Sequence, residues 1–185
     1  MILPIYAFGQ PVLRRVAEDI DQDYKDLDTL IEHMFDTMRN ARGVGLAAPQ
    51  IGKSIRLFIV DTEQMDKPDE PAKGIKKAFI NARMLDESGD PWVYEEGCLS
   101  IPDIHSDIER KTNIRIKYFD QDWKEHDETF EGVNARVIQH EYDHIEGVLF
   151  IDHMRPLKRR MIKGKLEKIK KGDIEVTSPM RFVKS

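Results

Sequence analysis

His140-Glu141-Tyr142-Asp143-His144, preceded by Gln139, sets two imidazoles four residues apart with a carboxylate beside the first. On a helix that spacing stacks both rings on one face, one turn apart, so they can grip a single divalent ion. A carboxylate adjacent to a ligand, yet not itself a ligand, can take a proton from water that the ion has made acidic. The chemistry on offer is metal-assisted hydrolysis. Two imidazoles are only half a site, because a catalytic centre of this kind wants three protein ligands and one open position.

Three sources for the missing ligand can be compared. The metzincin pattern continues to a glycine, matched by Gly147, and then to a third histidine, where this chain has Phe150. A glutamate from a following helix would have to be Glu167, which lies in a dense run of lysine and arginine. Cys98, the one cysteine among 185 residues, stands in Glu96-Gly97-Cys98-Leu99-Ser100, where Gly97 lets backbone or substrate come close. Alone, such a cysteine is more often a small buried hydrophobe. The histidine pair is what raises it as a ligand.

A third element lies upstream, Gly43-Val44-Gly45-Leu46-Ala47-Ala48-Pro49-Gln50-Ile51-Gly52. Taken by itself it reads as a glycine-rich turn, with no lysine or hydroxyl residue in phosphate-binding register. Taken with residues 96–100 and 139–144, in that order, it closely resembles the three signature motifs of the peptide deformylases. Phe8-Gly9-Gln10-Pro11-Val12-Leu13 resembles that family's usual opening, and the likeness runs from about residue 5 to residue 152.

The resemblance implies Cys98, His140 and His144 as metal ligands, with Glu141 as general base and acid. It implies Gln50 and the backbone N–H of Leu99 as donors to the formyl oxygen as charge develops there. Val44, Gly45, Glu96 and Gly97 are the expected substrate contacts, with an extended peptide pairing along the loop as an added strand. Glu96 serves equally well as a structural ion-pair partner. The implied reaction removes the N-formyl group from formyl-methionyl nascent peptides and releases formate, with metal-bound hydroxide attacking the formyl carbon. One divalent metal per chain is expected: Fe2+ is favoured by the resemblance, while Zn2+, Ni2+ or Co2+ would suit the same ligands. Arg110 and Asp143 are oppositely charged and are expected to pair behind the ligands. Val44, Tyr94, Val133, Arg136 and Val137 are candidate walls for the side-chain pocket. His33, His105, His126 and His153 lack such context.

These residues need elements to hold them. Leu27, Leu30, Ile31, Met34, Phe35 and Met38 recur at helical intervals, predicting an amphipathic helix over 26–41 whose apolar stripe is core. Residues 56–61 and 78–84 read as strands, separated by an acidic, proline-bearing surface loop over 63–74. Residues 113–119 alternate as a strand, with 123–130 as its hairpin mate, and the motif helix spans about 133–145. We expect an α+β fold of mostly antiparallel strands packed around a central motif-bearing helix, with an N-terminal helix and a basic C-terminal helix. Residues 1–154 would form the catalytic domain, and 155–185 a basic helix and tail of the same single-domain chain.

The net charge of −5 hides an uneven distribution. Residues 155–172 hold nine lysines and arginines against one glutamate, a local charge of +8 that leaves −13 on the rest. Leu157, Met161, Ile162, Leu166 and Ile169 fall at helical spacings there, predicting one basic amphipathic helix that packs on the domain. The resemblance adds possible ribosome contact through this helix, by counterion release from rRNA phosphates. One cysteine excludes a disulfide framework within one copy, and no window approaches a membrane-spanning length of apolar residues. A cytoplasmic chain with neither DNA nor membrane as partner is expected. The competing functions are a metalloendopeptidase, which would cut internal bonds and not need Cys98, and a non-catalytic metal- or RNA-binding module.

Overall fold

The computed structural model describes residues 1–183, so the last two residues of the expected 155–185 tail lie outside it. Its elements are β1 (Ile5–Tyr6), α1 (Leu27–Asn40), β2 (Gly45–Ala47), β3 (Leu57–Asp61), β4 (Lys76–Cys98), β5 (Ile101–Phe119), β6 (Glu125–Glu131), α2 (Gly132–Ile145), α3 (Pro156–Met161), α4 (Lys163–Lys171) and β7 (Met180–Arg181). Strands β2 to β6 form one antiparallel sheet in sequence order, and β1 pairs with β7 in parallel. This is an α+β fold.

Strand β3 explains how two helices find one sheet. Its run Leu57-Phe58-Ile59-Val60 is buried on both faces, and successive side chains point opposite ways. Leu57 and Ile59 join a core with Leu30, Ile31, Met34 and Met38 of α1. Phe58 and Val60 join another with Ala135, Ile138 and Ile145 of α2. The sheet therefore lies between α1 and α2, and α2 is buried around most of its circumference.

The largest departure from the sequence reading is the length of β4 and β5. Residues 78–84 and 113–119 read as short strands, yet they are the outer ends of a hairpin with arms of 23 and 19 residues. Glu87, Ser88, Gly89, Asp90 and Pro91 have turn composition, which conceals the strand. Register shifts absorb them: one lies between Ser88 and Pro91, where a bulge tolerates a residue without an N–H. The other arm supplies the pairing that local propensity lacks. The hairpin closes on a two-residue turn, Leu99-Ser100, so Cys98 is the last residue of β4, paired with Ile101.

The basic segment also departs from expectation. It is two helices broken at Ile162, where α3 ends and α4 begins. Ile162, Leu166 and Ile169 pack against Ile101, Ile104 and Phe150, while Leu157 and Met161 of α3 are 70% and 76% exposed. The five-residue apolar stripe is thus split between core and surface, with the break at Ile162 separating the exposed pair from the three that pack on the core. Among the described residues, no helix is long and apolar enough to cross a membrane.

Candidate active site

Three elements converge on one point. Helix α2 carries His140 and His144, the turn end of β4 carries Cys98, and the helical turn of residues 48–51 after β2 carries Gln50. The donor atoms of Cys98, His140 and His144 all lie within 4.8 Å of one another, and Cys98 Sγ is 3.4 Å from His144 Nε2. A hairpin with long paired arms and a buried helix are rigid mounts, as a ligand set requires.

Behind these three side chains lies a buried ion network. Glu96 Oε1 is 2.9 Å from Nδ1 of His140, which leaves Nε2 of that ring for the site. Arg110 grips Glu96 with both Nε (2.8 Å) and Nη2 (3.0 Å), and Arg136 Nη1 donates to it at 2.9 Å. Arg110 also donates to Asp143 at 2.8 Å, so the expected pair is present, and His153 meets the same carboxylate at 2.9 Å. Burial alone would raise the Glu96 carboxyl, but hydrogen bonds from His140 and Arg110 hold it well below the usual range. Both oxygens of Glu96 are thus engaged by His140, Arg110 and Arg136, and the residue also borders the cavity.

The charge balance suits a cation. Burial would push His140 down, yet its hydrogen bonds with Cys98 and Glu96 and the charge of Glu141 hold it well above the ordinary value. Burial and the charge of His140 push His144 well below it, keeping that imidazole neutral, the form that ligates. Glu141 is 4% exposed, its Oε1 has no hydrogen-bond partner, and burial pushes its carboxyl up to about 7. A soft cysteine sulfur, two imidazoles and an orphaned carboxyl oxygen beside them fit a single divalent metal.

Gln50, 1% exposed, is fixed at both ends of its amide. The Ala47 N–H donates to Oε1 at 3.0 Å, so Nε2 faces Ser100 Oγ at 3.1 Å and Cys98 Sγ at 3.5 Å. Two glycines serve close approach of side chains. A Cβ on Gly45 would sit 2.5 Å from Glu141 Oε2, and one on Gly97 would sit 2.6 Å from the His105 ring.

A cavity of about 540 Å³ opens over these groups. Val44, Gly45, Gln50, Glu96, Gly97, Cys98, Leu99, His140 and Glu141 border it, with His144 buried beneath. Of the expected pocket walls, Tyr94, Arg136 and Val137 also border it; Val133 does not, because its side chain packs into the core between α2 and the sheet. Sequence reasoning missed Ser100, which accepts a hydrogen bond from Gln50 beneath the site, and Met65 and the C-terminal residues 175–178, which border the cavity. Ser100 adjoins the cysteine motif and could have been suspected; the tail carries no local signal.

A cysteine-and-histidine set able to hold one metal, an adjacent buried carboxyl and a fixed amide within a peptide-sized groove fit one class, the metal-dependent hydrolases. Comparison with known proteins narrows it. A family model, polypeptide deformylase, matches residues 2–160. A peptide deformylase of Cytophaga hutchinsonii is 54% identical over 182 residues, covering 98% of each chain. The crystal structure of a peptide deformylase from Legionella pneumophila, 39% identical, superimposes with a TM-score of 0.81 over 94% of this chain and 98% of its own. One from Ehrlichia chaffeensis, in complex with actinonin, is 29% identical with a TM-score of 0.82, over 92% and 98%. The chain belongs to the polypeptide deformylase family.

Proposed function

We propose that this chain hydrolyses the N-formyl group of formyl-methionine at the start of nascent polypeptides, releasing formate and a free amine. The carrying observation is the meeting of Cys98, His140 and His144 beside Glu141 within 4.8 Å of each other, under a groove. A divalent ion, Fe2+ by family resemblance, would supply Lewis acidity there, polarising the formyl carbonyl and acidifying a water. Glu141 takes the proton from the attacking water and returns it to the departing amine nitrogen; its raised pKa, about 7, suits both directions. The Gln50 amide and the Leu99 backbone N–H donate to the formyl oxygen as it gains charge, and Gln50 needs little reorganisation because Ala47 already holds it. Val44, Gly45 and Gly97 hold the peptide backbone, and Glu96 holds His140 in place.

Anaerobic purification, metal analysis and assay of a formyl-Met peptide test this reading. Formate release is expected, lost on chelation and restored by Fe2+; release that survives complete chelation would refute it. An endopeptidase would instead yield internal fragments without formate, and a silent binding module would yield neither.

A reducing cytoplasm suits a thiolate ligand, which is easily oxidised elsewhere. The basic helices α3 and α4 support a ribosome contact, since α3 leaves Lys158, Arg159 and Arg160 at the surface beside exposed Leu157 and Met161. Binding to ribosomes is expected to fall steeply with salt and to weaken when Lys158 and Arg160 are changed to Glu. Deletion of the segment is a poorer test, because Ile162, Leu166 and Ile169 belong to the core. Salt-independent binding, or binding unchanged in that variant, counts against it.

A further inference from the structure

The cavity over Cys98 and Glu141 has a wall that comes from a segment remote in sequence from the three motifs. Glu175, Val176, Thr177 and Ser178, from the tail between α4 and β7, border it. The family model ends at residue 160, so this wall comes from outside the region that it matches.

Three kinds of tie hold the tail there. In the backbone, Ile5 N–H donates to Pro179 and Ala7 N–H to Arg181, both at 2.9 Å. The next residue, Phe8, donates to the Ser100 carbonyl at 2.9 Å, which registers the tail against the turn that follows Cys98. Through side chains, Asn40 Nδ2 donates to Ser178 Oγ at 3.3 Å, linking the tail to the end of α1, next to Ala41 and Arg42 on another side of the cavity. In packing, Ile174, Met180 and Phe182 join the core of Ile101 and Ile104. A segment held on both sides of residues 175–178 is a fixed surface for whatever occupies the groove.

That surface is charged. Glu175, Asp103 and Glu95 are exposed at the cavity, against one exposed guanidinium, Arg42. Glu175 comes from the tail and Asp103 from β5, just beyond the cysteine turn. A formyl-peptide whose methionine lies near the ligands must run its following residues out along such walls.

We propose that residues 175–178 are a specificity wall of the substrate groove, and that Glu175 with Asp103 favours formyl-peptides carrying a basic residue at the second position after the methionine. This rests on the deformylase reading above. The test compares kcat/KM for formyl-Met-Ala-Lys-amide and formyl-Met-Ala-Glu-amide, both lacking a C-terminal carboxylate. Because the readout is the ratio of two substrates, a general loss of activity in a variant cancels. The wild type is expected to favour the lysine peptide about fivefold at low ionic strength, shrinking toward equality in high salt. Glu175→Gln should at least halve the preference and Glu175→Lys should reverse it, with Asp103→Asn adding to either. A ratio near one in the wild type, or one that Glu175→Lys leaves unchanged, overturns the proposal. Absence of formate from either peptide with the wild type would instead fell the deformylase reading, and this proposal with it.

Discussion

Glu141→Gln is expected to lower the rate of formate release by about 10²–10⁴-fold while leaving metal content intact, as removal of a general acid–base group does. Glutamine has nearly the same shape, so Gly45, whose Cβ position lies 2.5 Å from Glu141 Oε2, still accommodates it. What is lost is proton capacity. An amide can neither accept the proton of the attacking water nor deliver one to the leaving amine. Because the residue is buried beside His140 and His144, no solvent group stands ready to replace it. The check is single-turnover formate release with metal measured on the same sample. A variant with a full complement of metal and wild-type turnover would remove Glu141 from the mechanism.

The second large effect concerns a residue behind the ligands. Glu96→Ala leaves the Arg110 and Arg136 guanidiniums buried without their shared counter-charge, and leaves His140 Nδ1 without its acceptor. Removing one partner of a buried network costs about 3–5 kcal/mol, which for a chain of this size is a fall in Tm of about 10 °C. Metal affinity should fall about 10–100-fold, since the group that orients a ligand is gone. The pH dependence has a definite sign. Glu96 is held below its ordinary pKa in the fold, so its stabilisation is present above the unfolded value of about 4.3 and is lost as pH falls through the folded value. The gap in Tm between wild type and variant is therefore widest near neutral pH and closes in acid. An equal gap at pH 3 and pH 7 would contradict this account. Retention of metal at wild-type affinity would show that Glu96 does not orient His140.

The amino-acid sequence by itself determined the local parts. Helix α1 was legible because apolar residues such as Leu30, Met34 and Met38 mark one face at a spacing that only a helix satisfies. The chemistry of α2 was legible for the same reason: residues four apart share a face in any helix, so His140 and His144 had to be neighbours whatever surrounded them. Strand β3 was legible as a short apolar run, though not the fact that its two faces would serve two different helices.

Tertiary structure decided everything that depends on contact between distant segments. Cys98 lies 42 residues before His140 in the chain, and only the paired arms of β4 and β5 bring its sulfur to the histidines. The arms themselves were obscured by Gly89 and Pro91, whose local preference for a turn is overridden by pairing with β5. The burial of Glu96 against two arginines and a histidine is likewise a matter of packing that residue type cannot reveal. The break at Ile162 and the return of the tail to β1 were equally silent, since a two-residue parallel pair has no periodicity to read. Spacing along one element is set by backbone geometry and so is written in the sequence. The meeting of elements is set by the burial of their shared surfaces, and it is there that a generic pair of histidines acquired a cysteine sulfur, a buried carboxyl of raised pKa and a cavity wall from the tail.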